Sequence, residues 1–277
     1  MKKLKIALFP NFEKQGTKEL LLRATEILSQ SGAECFVPKN VSACCNKLAE
    51  DEIYKQCDLF ITIGGDGTLI KYAKEASRFS KPCLGINTGR LGFLTNLEKD
   101  QLELLRNIVK GDYTVESRMM LHVSVFKNEQ LVLEDVALND AVISSGAVSK
   151  MTDISLNVSG DSIEYIADGI IFSTPTGSTA YSMSAGGPII DPEVRCITVT
   201  PICSHSLTAR PMLANENAKM IVALKNTSRT EPFLTVDGNS CCKVDFDTLV
   251  QINKAPFDVK LINLSNSTIY KTISKKF

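Results

Sequence analysis

The sequence predicts a doubly wound α/β domain followed by a largely β domain, and three observations carry that expectation. Up to about Gly111, short apolar runs alternate with stretches of helical spacing, as in parallel strands joined by crossover helices. Residues 57–63 form an apolar, β-branched run that breaks at Gly64-Gly65-Asp66-Gly67-Thr68 and resumes with helical composition over 69–76, giving strand, glycine turn, helix. Beyond Gly111 the texture changes to short strand-like runs separated by turn residues, with few convincing helices. The implied bounds are 1–111 for the α/β domain and 112–255 for the β-rich domain. Residues 256–277 are a tail that closes the second domain or returns to the first.

In chain order, residues 5–9 read as the first strand. Residues 15–31 carry Leu20, Leu21, Ala24, Ile27 and Leu28 at helical spacing. A second short strand is expected at 34–38 and a weakly patterned helix at 41–55. The strand ending at Ile63 leads through the glycines into a helix reaching about Ser77. Residues 82–87 are another parallel strand ending in a polar turn, and 101–110 are helical. Such a sheet places ligands at the carboxyl ends of its strands. In the second domain strands are expected at 119–126, 130–136, 137–144, 153–158, 162–166, 170–174, 195–201, 219–223, 233–237 and 248–253. Two more, at 258–265 and 267–273, would form the tail.

Composition narrows the function classes. Lys and Arg total 31 and so do Asp and Glu, so zero net charge offers no broad electrostatic basis for binding nucleic acid or an anionic membrane. With 44% hydrophobic and 22% charged residues, the 277-residue chain has the make-up of a soluble globular protein. No apolar run approaches a membrane span. Residues 1–10 are too short and too soon broken for a signal peptide, so a cytoplasmic location is expected. The nine cysteines include the adjacent pairs Cys44-Cys45 and Cys241-Cys242, which do not have zinc-site spacing. They read as free, largely buried thiols of a reducing compartment rather than metal ligands. His122 alternates within an apolar run and reads as a strand residue.

Several stretches carry chemistry. Gly64, Gly65 and Gly67 let the backbone approach a ligand, and the following helix start offers unpaired N–H groups to phosphate oxygens. Asp66 is unexpected there, because a carboxylate repels phosphate; it is a metal ligand, a hydroxyl acceptor or a base, or else an Asp near the N-cap of an ordinary strand-to-helix turn. The spacing fits neither the Walker loop nor the dinucleotide fingerprint. Residues 87–95 (Asn87-Thr88-Gly89-Arg90-Leu91-Gly92-Phe93-Leu94-Thr95) follow a strand and either shape a pocket at the same sheet edge or form a structural loop. Asn139-Asp140 provides a donor and acceptors suited to ribose hydroxyls, or closes a turn. Residues 165–188 run from a strand into a loop dense in glycine and small hydroxyl residues, where Tyr181 offers a flat face to a base; the same density suits a flexible linker, which the apolar residues on both sides argue against. Thr235-Val236-Asp237-Gly238-Asn239 reads as a strand entering a tight hairpin. His205-Ser206 suggests a nucleophile, but no serine lies in a G-x-S-x-G elbow, so a hydrolase triad is excluded.

Taken together, these residues resemble the NAD kinase family. The resemblance runs in family order through Gly64-Gly65-Asp66-Gly67-Thr68, residues 87–94, Asn139-Asp140, the segment 168–188, and His205-Ser206-Leu207 with Arg210-Pro211. The first loop alone is shared with lipid kinases of the diacylglycerol and sphingosine type; the 168–188 segment is far more specific. The resemblance implies transfer of the γ-phosphoryl of ATP, or of polyphosphate, to the 2′-hydroxyl of the adenosine ribose of NAD. It also implies a β-sandwich-like second domain, a divalent cation such as Mg²⁺, and a homodimer or homotetramer.

By the same resemblance Asp66 is the catalytic base, and Gly64, Gly65, Gly67 and Thr68 form the phosphate loop. The NAD contacts are Asp66, Gly67, Lys71, Phe93, Asn139, Asp140, Lys150, Asp168, Thr179, Ala180, Tyr181, Ser182, Met183, Ser184 and Asn239. The chain departs from the family where many members have Glu at Asp140, some have Arg at Ile166, Arg or His is common at Lys71, Gln is frequent at Asn239, and the position of Lys150 varies. The rival readings are a lipid kinase, which leaves 168–188 unexplained, and a non-enzymatic dinucleotide sensor, which does not need Asp66.

Overall fold

The computed structural model describes residues 3–276 except 44, 90, 91, 96, 146–150, 207, 226–231, 266 and 267. The chain forms two compact units. One comprises Met1–Ser117 with Phe257–Phe277, the other Arg118–Pro256.

The first unit opens with β1 (Lys5–Pro10), α1 (Thr17–Gln30), β2 (Glu34–Pro38), β3 (Asn46–Leu48) and α2 (Glu50–Gln56). It continues through β4 (Leu59–Gly64), α3 (Asp66–Arg78), β5 (Pro82–Asn87), α4 (Leu105–Lys110) and β6 (Thr114–Arg118). The sheet order is β3-β2-β1-β4-β5, then the late strand Val259–Asn263, then β6. The pairs from β3 to β5 are parallel, as is the late strand on β5. Strand order reverses between β1 and β4, so their carboxyl ends flank the crevice where such folds bind ligands.

The unbroken apolar character of β4 follows from burial on both faces. Leu59, Ile61 and Ile63 point with Ile6 and Leu8 into a cluster closed by Leu20, Leu21, Ala24, Ile27 and Leu28 of α1. Phe60 and Phe9 point the other way, into an aromatic group with Tyr54, Tyr72 and Phe79.

The expected helix over 41–55 is shorter than its weak patterning suggested. Residues 46–48 add an edge strand, whose exposed Asn46 and Lys47 suit that position, and the helix is confined to Glu50–Gln56.

The second unit contains β7 (Leu121–Lys127), β8 (Gln130–Ala137), β9 (Asp140–Ser144), β10 (Thr152–Val158), β11 (Asp161–Ala167) and β12 (Gly169–Ser173). A short helix, α5 (Tyr181–Ser184), precedes β13 (Cys196–Ile202), β14 (Met212–Asn215), β15 (Met220–Leu224), β16 (Phe233–Val236), β17 (Asn239–Lys243) and β18 (Thr248–Lys254). Two six-stranded antiparallel sheets result, β11-β10-β15-β18-β7-β8 and β14-β13-β12-β9-β16-β17. Their alternating inward residues share one core, with Val123, Leu156, Val222 and Val250 from the first and Ile143, Phe172, Val199 and Leu234 from the second. This is a β-sandwich.

The tail differs from the sequence reading over 267–273. Instead of a closing strand, the chain forms a helix, α6 (Ile269–Lys276). Thr268 stands at its start and its hydroxyl accepts the Lys271 N–H at 3.4 Å. The β-branched composition suggested a strand, but the inward residues Ile269, Thr272 and Ile273 recur at helical spacing. Among the described residues no helix is long and apolar enough to cross a membrane. The eight described cysteines are free thiols. Burial pushes the thiol of Cys35 up to about 11 and that of Cys57 up to about 12, so neither is ionised at neutral pH.

Candidate functional site

In the first unit, β4 ends at Gly64 and α3 begins at Asp66, so the expected glycine loop is a single residue, Gly65, at the helix N-cap. The Gly65 carbonyl accepts the N–H groups of Thr68 and Leu69, which closes the first helical turn. The three glycines differ in purpose. A Cβ on Gly64 would collide with the side chain of Thr68, whereas one on Gly65 or Gly67 would meet nothing within 4 Å. Gly64 therefore serves packing, and the other two leave the helix start open. Asn11, just after β1, donates its side-chain amide to the Thr68 hydroxyl at 3.2 Å. It bridges the two strand ends of the crevice, a role not read from its sequence position alone.

The Asp66 carboxylate is held by the 92–95 segment. Oδ2 accepts the Phe93 N–H at 2.8 Å. Oδ1 accepts the N–H groups of Leu94 and Thr95 at 3.3 and 3.0 Å and the Thr95 hydroxyl at 2.9 Å. A Cβ on Gly92 would overlap this carboxylate, so the loop must have glycine there to close over Asp66. The loop after β5 is thus the element that orients the acid. Oδ2 spends one of its two lone-pair directions on Phe93. Lys71 is exposed one turn further along α3, with its ammonium 5.2 Å from the Tyr72 ring centroid. Lys276 of α6 lies 4.0 Å from the Phe93 ring centroid.

In the second unit a second carboxylate organises a turn. Asp237 accepts N–H groups from Leu138, Asn139 and Asp140 at 2.9, 2.7 and 3.2 Å. Thr174 locks the same turn from β12's side: its hydroxyl donates to the Leu138 carbonyl at 2.6 Å and its N–H to the Asn139 carbonyl at 2.9 Å. Asp140 is buried with its carboxyl beside Asp237, and the Tyr181 backbone N–H bonds it. Burial above all, then the neighbouring carboxylate, pushes Asp140 up to about 7 against the lowering effect of that N–H. Downstream, Ser182 pairs with Thr200 at 3.0 Å, the Thr179 hydroxyl donates to the Thr176 carbonyl, and the Tyr181 ring stays 45% exposed.

These two halves, a phosphate-loop start with a clamped acid and a hydroxyl-rich turn around Asn139-Asp140, match known proteins in the same order along the chain. The ATP-NAD kinase N-terminal domain model matches residues 8–113 and the ATP-NAD kinase C-terminal domain model residues 138–264. The NAD kinase of Caldanaerobacter subterraneus is 36% identical over 278 residues, 98% of each chain. The chain belongs to the NAD kinase family.

Other NAD kinases agree, such as that of Geotalea daltonii, 37% identical over 245 residues and covering 88% of this chain and 86% of its own. An NAD kinase from Archaeoglobus fulgidus in complex with ATP superposes with a TM-score of 0.74 at 26% identity, covering 99% of this chain and 98% of its own. Yeast NADH kinase complexed with NADH gives 0.86 at 22% identity, covering 99% of this chain and 86% of its own, and so shares the fold.

Set against the NAD kinase pattern, the expected site residues fall into distinct groups. Gly64, Gly65, Asp66, Gly67, Thr68 and the Phe93 backbone come together at the end of β4, with Lys71 on the adjoining helix. Asn139, Asp140 and the 179–184 segment come together in the second unit, Asn239 following two residues after Asp237. Asp168 is apart from these. It precedes β12, whose far end, Ser173, pairs with Asp140. At about 3.3 Å per residue, Asp168 is roughly 17 Å along the strand from that pair. Its backbone carbonyl accepts the Ser145 N–H and hydroxyl. Lys150 lies outside the described residues, as do Arg90, Leu91 and Leu207 of the family stretches. Sequence reading missed Asn11, Thr95 and Asp237; Thr95 stood inside a motif already singled out, and Asp237 was absorbed into a hairpin.

Proposed function

We propose that this chain transfers the γ-phosphoryl of ATP to the 2′-hydroxyl of the adenosine ribose of NAD, giving NADP and ADP. The observation that carries the reading is the Asp66 carboxylate, held at the start of α3 by four donors from 93–95, of which, among the described residues, Oδ2 accepts a single one. The ribose O–H donates to Oδ2. As its oxygen bonds to the γ-phosphorus, the bond to the β–γ bridging oxygen breaks, ADP departs, and Asp66 holds the proton. The outward N–H groups at the start of α3 stabilise phosphate oxygens. Asn139 and Asp140 bind ribose hydroxyls, and Tyr181 stacks on adenine with Thr179, Ala180, Ser182, Met183 and Ser184 shaping its surround. Gly67, Lys71, Phe93, Lys150, Asp168 and Asn239 complete the proposed NAD contacts.

A divalent cation fits as part of the nucleotide substrate. Among the described residues no group of three or more His, Cys, Asp or Glu side chains forms a cage. Mg²⁺ is commonly held by phosphates with few protein carboxylates, and it would neutralise phosphate charge here. The reading includes a cytoplasmic location and a homodimer or homotetramer. Supporting the oligomer, Ala223, Leu249, Phe126 and Leu131 lie side by side across the outer face of one sheet, with Leu249 and Leu131 42% and 49% exposed. A single species near 30.3 kDa in sedimentation at assay concentration would remove that part.

The test of the reaction is a coupled assay offering MgATP with NAD, NADH or diacylglycerol in separate arms. Formation of NADP is expected. Phosphorylation of diacylglycerol alone would replace the reading with a lipid kinase. Dinucleotide binding without turnover would replace it with a sensor.

A further inference from the structure

The Asp237-Gly238 pair has the look of a hairpin closer, and it does close one: β16 and β17 pair on either side of it. A hairpin of this kind does not need its aspartate to reach another loop. Here the Asp237 carboxylate turns away from its own hairpin and collects three successive N–H groups, of Leu138, Asn139 and Asp140. The link is reciprocal, since the Asp237 N–H donates to the Asp140 carbonyl at 2.9 Å. Asp237 adopts φ of +48°, a left-handed conformation that aspartate tolerates and that aims the side chain at the turn. Three charge-assisted bonds are more than closing a two-stranded ribbon requires, and two of them come from the residues proposed to meet ribose, Asn139 and Asp140.

We propose that Asp237 is a positioning residue: it fixes the Leu138–Asp140 turn and places a second negative charge against Asp140, and so sets both how tightly and over what pH range the turn holds a ribose. This rests on the reading of Asn139-Asp140 as a dinucleotide contact. Among the described residues, the groups that face the Asp140 carboxyl are Asp237, from the turn after β16, and the Tyr181 N–H, from α5. Burial and the Asp237 charge hold Asp140 near 7, while ribose hydroxyls are best accepted by its ionised form. Binding of NAD therefore tightens as pH rises through neutrality. Removing the Asp237 charge moves that transition to lower pH, and loosening the turn weakens the limiting affinity.

The experiment measures the NAD dissociation constant of the full chain from roughly pH 5.5 to 8.5 for wild type, Asp237→Asn and Asp140→Asn. Wild type should show a transition near neutrality that is absent from Asp140→Asn. Asp237→Asn should bind NAD about tenfold or more weakly at alkaline pH, with its transition shifted to lower pH and its KM for ATP unchanged. A purely structural defect would lower affinity without moving the midpoint, and that result overturns the proposal. A flat wild-type profile also overturns it and needs no folded variant. If wild type does not bind or phosphorylate NAD at all, the functional reading has failed; if it does and Asp237→Asn matches it, only this inference has.

Discussion

Asp66 and Thr95 are joined twice. The N–H and the hydroxyl of Thr95 both donate to Oδ1 of Asp66, at 3.0 and 2.9 Å. Among the described residues, Oδ2 accepts only the Phe93 N–H. One oxygen of the carboxylate thus anchors the loop after β5, while the other keeps a direction free for a hydroxyl.

This division predicts the behaviour of Asp66→Asn. Asparagine keeps Oδ1 as an acceptor for the Leu94 and Thr95 donors, puts an NH2 group against the Phe93 N–H, and loses charge and basicity. Turnover should fall by about 10²–10⁴-fold, with NAD affinity changed by tenfold or less. Raising Mg²⁺ should not restore the rate, since the defect is not weakened metal binding. Turnover within a few-fold of wild type would sink the base assignment.

Gly92→Ala tests the loop itself. The added methyl overlaps the Asp66 carboxylate, so the 93–95 donors must withdraw from it. Stability should drop by about 1–3 kcal/mol, as for other overpacked sites. Turnover should fall well beyond that, because the acid loses its orientation. Denaturant melts and kcat on the same sample decide it; a stable, fully active variant would show that the loop does not need to close.

Asp140→Asn changes stability by an amount that depends on pH. The carboxyl is raised from 3.8 to about 7 in the folded chain. Between those values the folded state keeps a proton that the unfolded state has released. Its contribution to stability is therefore complete below the unfolded value and is lost as pH rises through about 7. The asparagine variant does not titrate, so relative to wild type it should gain stability on going from about pH 4 to pH 8, at roughly 1.4 kcal/mol per unit of difference between the two pKa values as an upper bound. Urea midpoints at the two ends measure this. An equal offset at both would refute the raised carboxyl.

Tyr181→Ala should leave the fold intact, because the ring is 45% exposed. The expected cost is a loss of NAD affinity of about 1–3 kcal/mol, the range for a base stacked on an aromatic side chain. An unchanged KM with a strongly reduced kcat would contradict a binding role.

The strand, turn and helix of residues 59–78 and the family signature were legible because they are local: an apolar run, glycines and helical composition act on their own neighbours. Even there, composition misled at the tail, where β-branched residues suggested a strand and the inward spacing of Ile269, Thr272 and Ile273 made a helix. What only the tertiary structure decided is where the two organising carboxylates spend their hydrogen bonds. Asp66 reaches donors 27 to 29 residues away, and Asp237 reaches donors 97 to 99 residues away. Nearly all of those donors are backbone N–H groups, which every residue but proline carries alike. No side-chain identity marks them in the sequence, and only the folded chain brings the right ones to the right acid.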